Sequence, residues 1–455
     1  MRQLIRLGHV RGNLKRSHLR VENDRRGRGI LSPEVRKMQK GLKKLGLGFV
    51  AVGLCLVLTL GSVLPAKAES ERVVKIGNLA GLTGPVADLG VPVTSGFHDA
   101  IEYLNEEQSI PGVKVECIWE DVKYSITRMI TAHKRFKAAG EVLEFSMLAV
   151  TATTTPDLYV KDEIPLLSAS AGTTEMMAIP GPRWMFMQAP TWTDIFATSL
   201  KGMKLLWPEK RPLRVAIMTY HDPVIAEVIK NAPWVCAKVG DAEFVGSEVV
   251  PLATIDNSTE WLRLAALKPD VVWVLSYFAN MVVNIKDYAR LGIRKEGVEF
   301  VGSPNSIDEI IINISGKAAE GNYVTKFTPV VAEADEYVGV RRALEAAKRY
   351  RGWELEDVTS NYVLGFFLGQ IAFEAIRIAR EQVGPDNITA RVVRDALVSI
   401  KDFDTGIVPP FSISEEEPFS MHYLRTYQVQ QGRTVPVGDW FELEIVSDEF
   451  YEWHI

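Results

Sequence analysis

Two short stretches concentrate hydroxyl groups where a chain can hold an anion. Val150-Thr151-Ala152-Thr153-Thr154-Thr155 sets four threonines behind an apolar run, and Ser170-Ala171-Gly172-Thr173-Thr174 repeats the theme further on. Hydroxyls and amide groups at the start of a helix donate to a carboxylate as helix N-termini do to other anions. The same residues also cap helices and line strands with no ligand involved. Their density in one strand-to-helix connection favours binding. Catalytic chemistry has less to work with, since G-x-S-x-G, H-E-x-x-H, a Walker A loop and C-x-x-C are all missing. No catalytic residue, cofactor or metal is expected. His98 and His133 fall on amphipathic stretches as surface or rim positions, and His221 falls in a cleft-edge loop.

The elements that must position these loops alternate short apolar runs with amphipathic stretches, the pattern of β-α-β units and a parallel sheet. Strands are expected at Val73–Leu79, Val113–Trp119, Phe145–Val150 and Ile164–Ser168, with helices at Gly90–Asn105 and Ile126–Ala138. Ala189-Pro190 marks a change of lobe, after which the alternation restarts. Strands are expected at Arg214–Met218, Glu243–Pro251, Val271–Leu275 and Phe300–Val301, and helices at Ile225–Val239, Thr259–Leu267 and Val282–Leu291. Tyr323–Phe327 reads as a return across a hinge. Helices follow at Ala332–Arg351, Thr359–Val383 and Ile388–Ile400, and then a hairpin of Tyr427–Gln430 and Thr434–Trp440.

Composition sets the compartment. Lys40, Lys43 and Lys44 precede an apolar run from Leu45 to Leu64, and Ala66-Lys67-Ala68 follows, the plan of a secretory signal peptide over 38–68. Residues 1–37 read as a basic leader or an over-extended gene start. Residues 1–68 hold 15 of the 52 basic residues and 3 of the 57 acidic ones, so the remainder carries 37 basic and 54 acidic, a formal net charge of −17. Such a surface argues against nucleic acid or an anionic membrane as partner. The 387 residues after Ala68 suggest two lobes. Cys117 and Cys236 read as separate buried thiols.

Several segments in order resemble the periplasmic branched-chain amino-acid-binding proteins of ABC transporters, which have the type I binding-protein fold. They are Ile76-Gly77 through Leu82-Thr83-Gly84-Pro85-Val86-Ala87, Glu120-Asp121, and Ile164-Pro165-Leu166-Leu167-Ser168-Ala169-Ser170-Ala171. Lys268-Pro269-Asp270-Val271-Val272, Ala289-Arg290-Leu291-Gly292 and Ala318-Ala319-Glu320-Gly321-Asn322-Tyr323-Val324 continue the resemblance. It implies an α/β protein of two Rossmann-like lobes joined by a multi-strand hinge, with residues 69–190 and 325–425 in one lobe and 191–324 and 426–455 in the other. It also implies an exported monomer that closes over a small amino acid, or a related carboxylate or amide, and passes it to an ABC permease. The alternative is a binding protein that reports its ligand to a signalling receptor.

Carried over residue by residue, the resemblance implies that Thr151 or Thr153 binds a ligand carboxylate. Ala171 offers backbone, with Gly172 or Thr173 at the neighbouring hydroxyl position. Tyr277 closes over the ligand, and Leu89, Trp192 and Tyr220 form walls. The chain departs from the family where an acidic residue pairs the ligand's amino group. Pro304 stands there, with Asn305 and Asp308 nearby as replacements, and Tyr220-His221-Asp222-Pro223 replaces a Tyr-Gly.

Overall fold

The computed structural model describes residues 71–449 apart from Pro85, Pro180, Pro208, Asp222, Leu252 and Tyr277. The expected leader and signal peptide, and the candidate Tyr277, lie outside the described residues. The first sheet is built from β1 (Arg72–Ala80), β2 (Val113–Asp121), β3 (Glu141–Ser146), β4 (Leu166–Ser168) and β6 (Met185–Phe186). Its order is β2-β1-β3-β4-β6, and every pairing is parallel. Helices α1 (Ala87–Glu107), α2 (Ile126–Ala138), α3 (Ala149–Thr154), α4 (Pro156–Asp162) and α5 (Thr174–Met177) connect these strands. A two-residue strand β5 (Ala171–Gly172) pairs with β7 (Ala189–Thr191). All six residues of β3 are buried, as expected of a parallel strand covered on both faces.

The second sheet follows helix α6 (Trp192–Leu206). It contains β8 (Leu213–Tyr220), β9 (Ala242–Val250), β10 (Val271–Leu275), β11 (Glu299–Gly302) and β12 (Tyr323–Lys326), with α7 (Pro223–Val239), α8 (Ser258–Ala266), α9 (Phe278–Leu291) and α10 (Glu309–Ser315) between them. The chain then returns to the first sheet as α11 (Val338–Arg351), α12 (Ser360–Val383) and α13 (Ala390–Leu397). It crosses once more to add β13 (Tyr423–Gln430), β14 (Arg433–Pro436) and β15 (Phe441–Glu442). The order is β14-β13-β12-β11-β10-β8-β9, with β15 on β13, and the pairings beyond β12 are antiparallel. Where the crossing segments meet, Met187 and Met421 donate backbone bonds to Pro418 and Gln188.

Glycine decides how α12 meets α1. A Cβ on Gly365 would overlap the Val93 carbonyl, and one on Gly96 would overlap that of Tyr362, so the backbones approach as only glycine allows. Helix α12 has the length and mean hydropathy, 1.4, of a membrane span, yet 83% of that stretch is buried in the core.

Several expected elements change bounds. Strand Phe145–Val150 ends at Ser146, because the Ser146 hydroxyl accepts the Leu148 amide and Thr151 N–H bonds the Leu148 carbonyl, which starts α3. The helix expected from Ala332 begins at Val338, after a 3-10 turn whose Glu333 side chain accepts the Val330 amide. The second hairpin strand stops at Pro436 rather than Trp440. Of the two histidines expected at the surface or rim, His98 keeps partial exposure and His133 does not. His98 is half-buried 3.0 Å from Asn78 Nδ2, and His133 is fully buried between two carboxylates. Cys117 and Cys236 are unbridged, and burial pushes the Cys236 thiol up to about 12.

Candidate ligand-binding site

In the first sheet the strand order reverses between β1 and β3, and in the second between β8 and β10. At such a point the trailing loops diverge and leave a crevice outside the carboxyl ends of the strands. A cavity with mainly apolar walls lies there. Val86, Leu89 and Val93 line it from the loop after β1 and the start of α1, and Met147, Leu148 and Ala149 line it after β3. Ala169, Ser170 and Ala171 follow β4, and Tyr124 follows β2. The second sheet contributes Tyr220, Ile225, Pro304, Asn305 and Phe327, while Gln188, Trp192 and Ile195 come from the crossing segment and α6, and Leu364 from α12. The cavity is roomy enough to admit several water-sized molecules.

Local chemistry fixes these loops. The Asp121 carboxylate at the end of β2 accepts the amides of Leu82, Thr83 and Lys123, at 3.0, 3.3 and 3.2 Å, and so holds the loop that leads to Val86 and Leu89. Against its burial, which raises it, these bonds and the Thr83 hydroxyl keep this carboxyl below its usual range. Thr191 caps α6 by accepting the Asp194 amide, and buried Asp194 in turn accepts the amides of Val446 and Ser447. Trp192 thus stands on a helix start pinned from both sides. Asn305 has a φ of 61°, a left-handed conformation that asparagine tolerates, and this turns it into the cleft after Pro304.

None of the described lining residues carries a formal charge. Four are aromatic, namely Tyr124, Trp192, Tyr220 and Phe327. Two buried amide atoms, Gln188 Nε2 and Asn305 Oδ1, lack a partner among the described residues. A donor and an acceptor therefore wait at a cavity with otherwise apolar walls, although the O and N ends of each amide are assigned positions. A smaller side pocket shares Leu89 and Asn305 with the cleft and adds Asp88, Ser306, Asp308 and Asn361. Burial, with Asp308 adding to it, pushes Asp88 up to about 7.

Of the residues singled out in the sequence, Leu89, Ala171, Trp192, Tyr220 and Asn305 meet at the cleft. Thr151, Thr153, Gly172, Thr173 and Asp308 are not among its lining residues. The reason is local hydrogen bonding. Thr151 is fully buried with its hydroxyl 2.9 Å from Ser146 Oγ. Thr153 bonds back to the Ala149 carbonyl within α3. Gly172 pairs with Thr191 in the short β5–β7 ladder. Thr173 caps α5 by accepting the Met176 amide. Asp308 caps α10 by accepting the Ile311 amide, and it also accepts from Asn361 Nδ2. Gln188, Tyr124 and Phe327 were not singled out, and no motif marks them.

A family model described as a periplasmic binding protein matches residues 73–434. Leu/Ile/Val-binding protein homolog 7 of Brucella abortus is 22% identical over 363 residues, covering 78% of this chain and 84% of that protein. A branched chain amino acid ABC transporter structure from Thermus thermophilus with bound valine superposes with a TM-score of 0.74 at 22% identity, over 84% of this chain and 100% of its own. An R. palustris solute binding protein in complex with benzoate superposes with a TM-score of 0.67 at 16% identity, over 82% and 98%. The structural likenesses establish a shared fold, and the family match spans most of the sequence. This chain therefore belongs to the periplasmic binding protein family, with its type I α/β fold, a family of binding proteins rather than enzymes.

Proposed function

We propose that the chain is the extracytoplasmic substrate-binding component of an ABC importer. It closes two lobes over a small carboxylate or amide with an apolar body and delivers it to a permease, without catalysis. The lobes are residues 69–190 with 325–425, and 191–324 with 426–455, after export through the signal at 38–68. The observation that carries the ligand reading is the cleft itself. Its described lining is uncharged and aromatic, with Gln188, Asn305 and Ser170 among its polar groups. An ammonium taken from water needs a charged or well-placed acceptor, since burying it unpaired is costly. A carboxylate can be held by neutral donors, and Gln188 Nε2 offers one at the cleft wall. The benzoate-bound relative shows that this fold accommodates an acid without an amine.

A second reading, a free amino acid, rests on the side pocket, where Asp88 and Asp308 line a space that shares Leu89 and Asn305 with the cleft. A thermal-shift panel of benzoate, short aliphatic acids and amides, leucine and valine separates the two, because a ligand that binds only the native state raises its Tm. The expected outcome is a shift with an acid or amide, and an affinity for it that Asp308→Asn leaves within about twofold. Asparagine caps a helix as well as aspartate does, so α10 should survive the change. Leucine or valine binding that collapses in Asp308→Asn would restore the amino-acid reading. Flanking genes for a permease or for a receptor kinase distinguish import from sensing.

A further inference from the structure

A second polar cluster lies within the first sheet and its helices, on residues that do not line the cleft. It begins with a register slip. Glu141 and Glu144 are three apart, a spacing that turns side chains to opposite faces of a regular strand. The pairing of β3 with β1 jumps from Lys75↔Glu141 to Ile76↔Leu143, so Val142 is an extra residue. A bulge of this kind re-aims side chains, and here both carboxylates meet His133 of α2, with the candidate ligating atoms all within 4.8 Å of one another. His133 and Glu144 are fully buried and Glu141 is 5% exposed. A Cβ on Gly77 of β1 would collide with Glu141 Oε2, so the glycine makes room for that carboxylate.

The surroundings are arranged as a shell. His133 Nε2 lies 3.1 Å from Asp162 Oδ2, and Lys137 Nζ lies 2.7 Å from the other oxygen of Asp162. That contact suits an Nε2–H donor and leaves the Nδ1 lone pair facing Glu144 Oε2 at 3.0 Å. Tyr159 donates its hydroxyl to the second oxygen of Glu144. Among the described residues neither oxygen of Glu141 makes a hydrogen bond of good geometry, although the Gly77 amide and the Glu144 carboxyl lie beside it. Two carboxylates and an imidazole nitrogen thus converge away from water.

We propose that His133 Nδ1, Glu141 and Glu144 bind one divalent transition-metal ion, zinc by preference, as a structural site that ties α2 to β3. One imidazole and carboxylate oxygens form a donor set that zinc accepts. Bond lengths of about 2.0–2.1 Å place tetrahedral ligands roughly 3.3 Å apart, close to the 3.0 Å between Nδ1 and Oε2. Two charges on the ion match two carboxylates. Asp162 on the distal histidine nitrogen and Tyr159 on Glu144 are the outer partners that orient metal ligands elsewhere. The site is enclosed, so the ion enters as the chain folds.

The test refolds untagged protein from denaturant with excess Zn²⁺ or with a chelator. Metal per chain is then measured by mass spectrometry after gel filtration, and Tm by calorimetry. One zinc per chain and a higher Tm in the zinc arm are expected. Glu141→Gln, close in shape, should weaken zinc retention by at least about tenfold while the ligand cleft keeps its affinity. Wild-type protein refolded with zinc that holds no metal and shows no Tm change overturns the proposal and leaves shared protons as the occupant. Zinc retained equally by Glu141→Gln places the ion elsewhere and also overturns it. Should Glu141→Gln fail to fold, the visible absorption of Co²⁺-loaded wild type decides. Four-coordinate cobalt supports the site, and an aquo-ion spectrum sinks it.

Discussion

At the scale of single residues, hydroxyl-rich sequence is a poor guide to which side chains line the cleft. Thr153, Thr154 and Thr155 each donate to a carbonyl four residues back, which is how threonine behaves inside a short helix. Among the described cleft-lining residues the unpaired buried groups are amides instead. Gln188 is 3% exposed, its Nε2 has no partner among the described residues, and it lines the cleft. Gln188→Leu should therefore separate stability from binding. Removing an unpaired buried donor should leave urea stability unchanged or raise it, by up to about 1 kcal/mol. Ligand affinity, followed by titration calorimetry, should fall by roughly 1–3 kcal/mol, the loss typical of one buried hydrogen bond. A parallel fall in stability with affinity intact would mean that Gln188 serves packing only.

At the scale of elements, periodicity located most strands and helices because their apolar faces are simple. Helix α2 and strand β10 run over Ile126–Ala138 and Val271–Leu275, the expected bounds. Close contact between helices is another matter. Glycine is a poor helix former, yet Gly365 and Gly369 are where the backbone of α1 approaches. Gly365→Ala should gain intrinsic helix propensity, worth about 1 kcal/mol. It should nevertheless lower net stability by roughly 1–3 kcal/mol through overpacking against Val93. Chemical denaturation measures this. Since Val93 also lines the cleft, ligand affinity should drop with it.

At the scale of the whole molecule, the cleft is walled by loops from two sheets, and segments at 187–188 and 418–421 run side by side between them. A ligand that touches both sheets contacts all its partners only when they are close, so it should shift the population toward a closed form. Small-angle scattering should then give a smaller radius of gyration at saturating ligand. An unchanged radius would count against hinge closure.

The sequence by itself determined the α/β alternation, its duplication and the family, because these follow from local periodicity and from the order of short segments. It also identified cleft residues whose role needs only position in the chain, such as Ala171, Trp192 and Asn305 at the ends of strands. Tertiary structure decided which polar groups remain available to a ligand, since a hydroxyl's partner is often its own helix. It alone joined His133 to Glu141 and Glu144, because a one-residue slip between β1 and β3 reverses the side to which a carboxylate points. No spacing rule written along a single strand contains that slip, which belongs to the pair of strands.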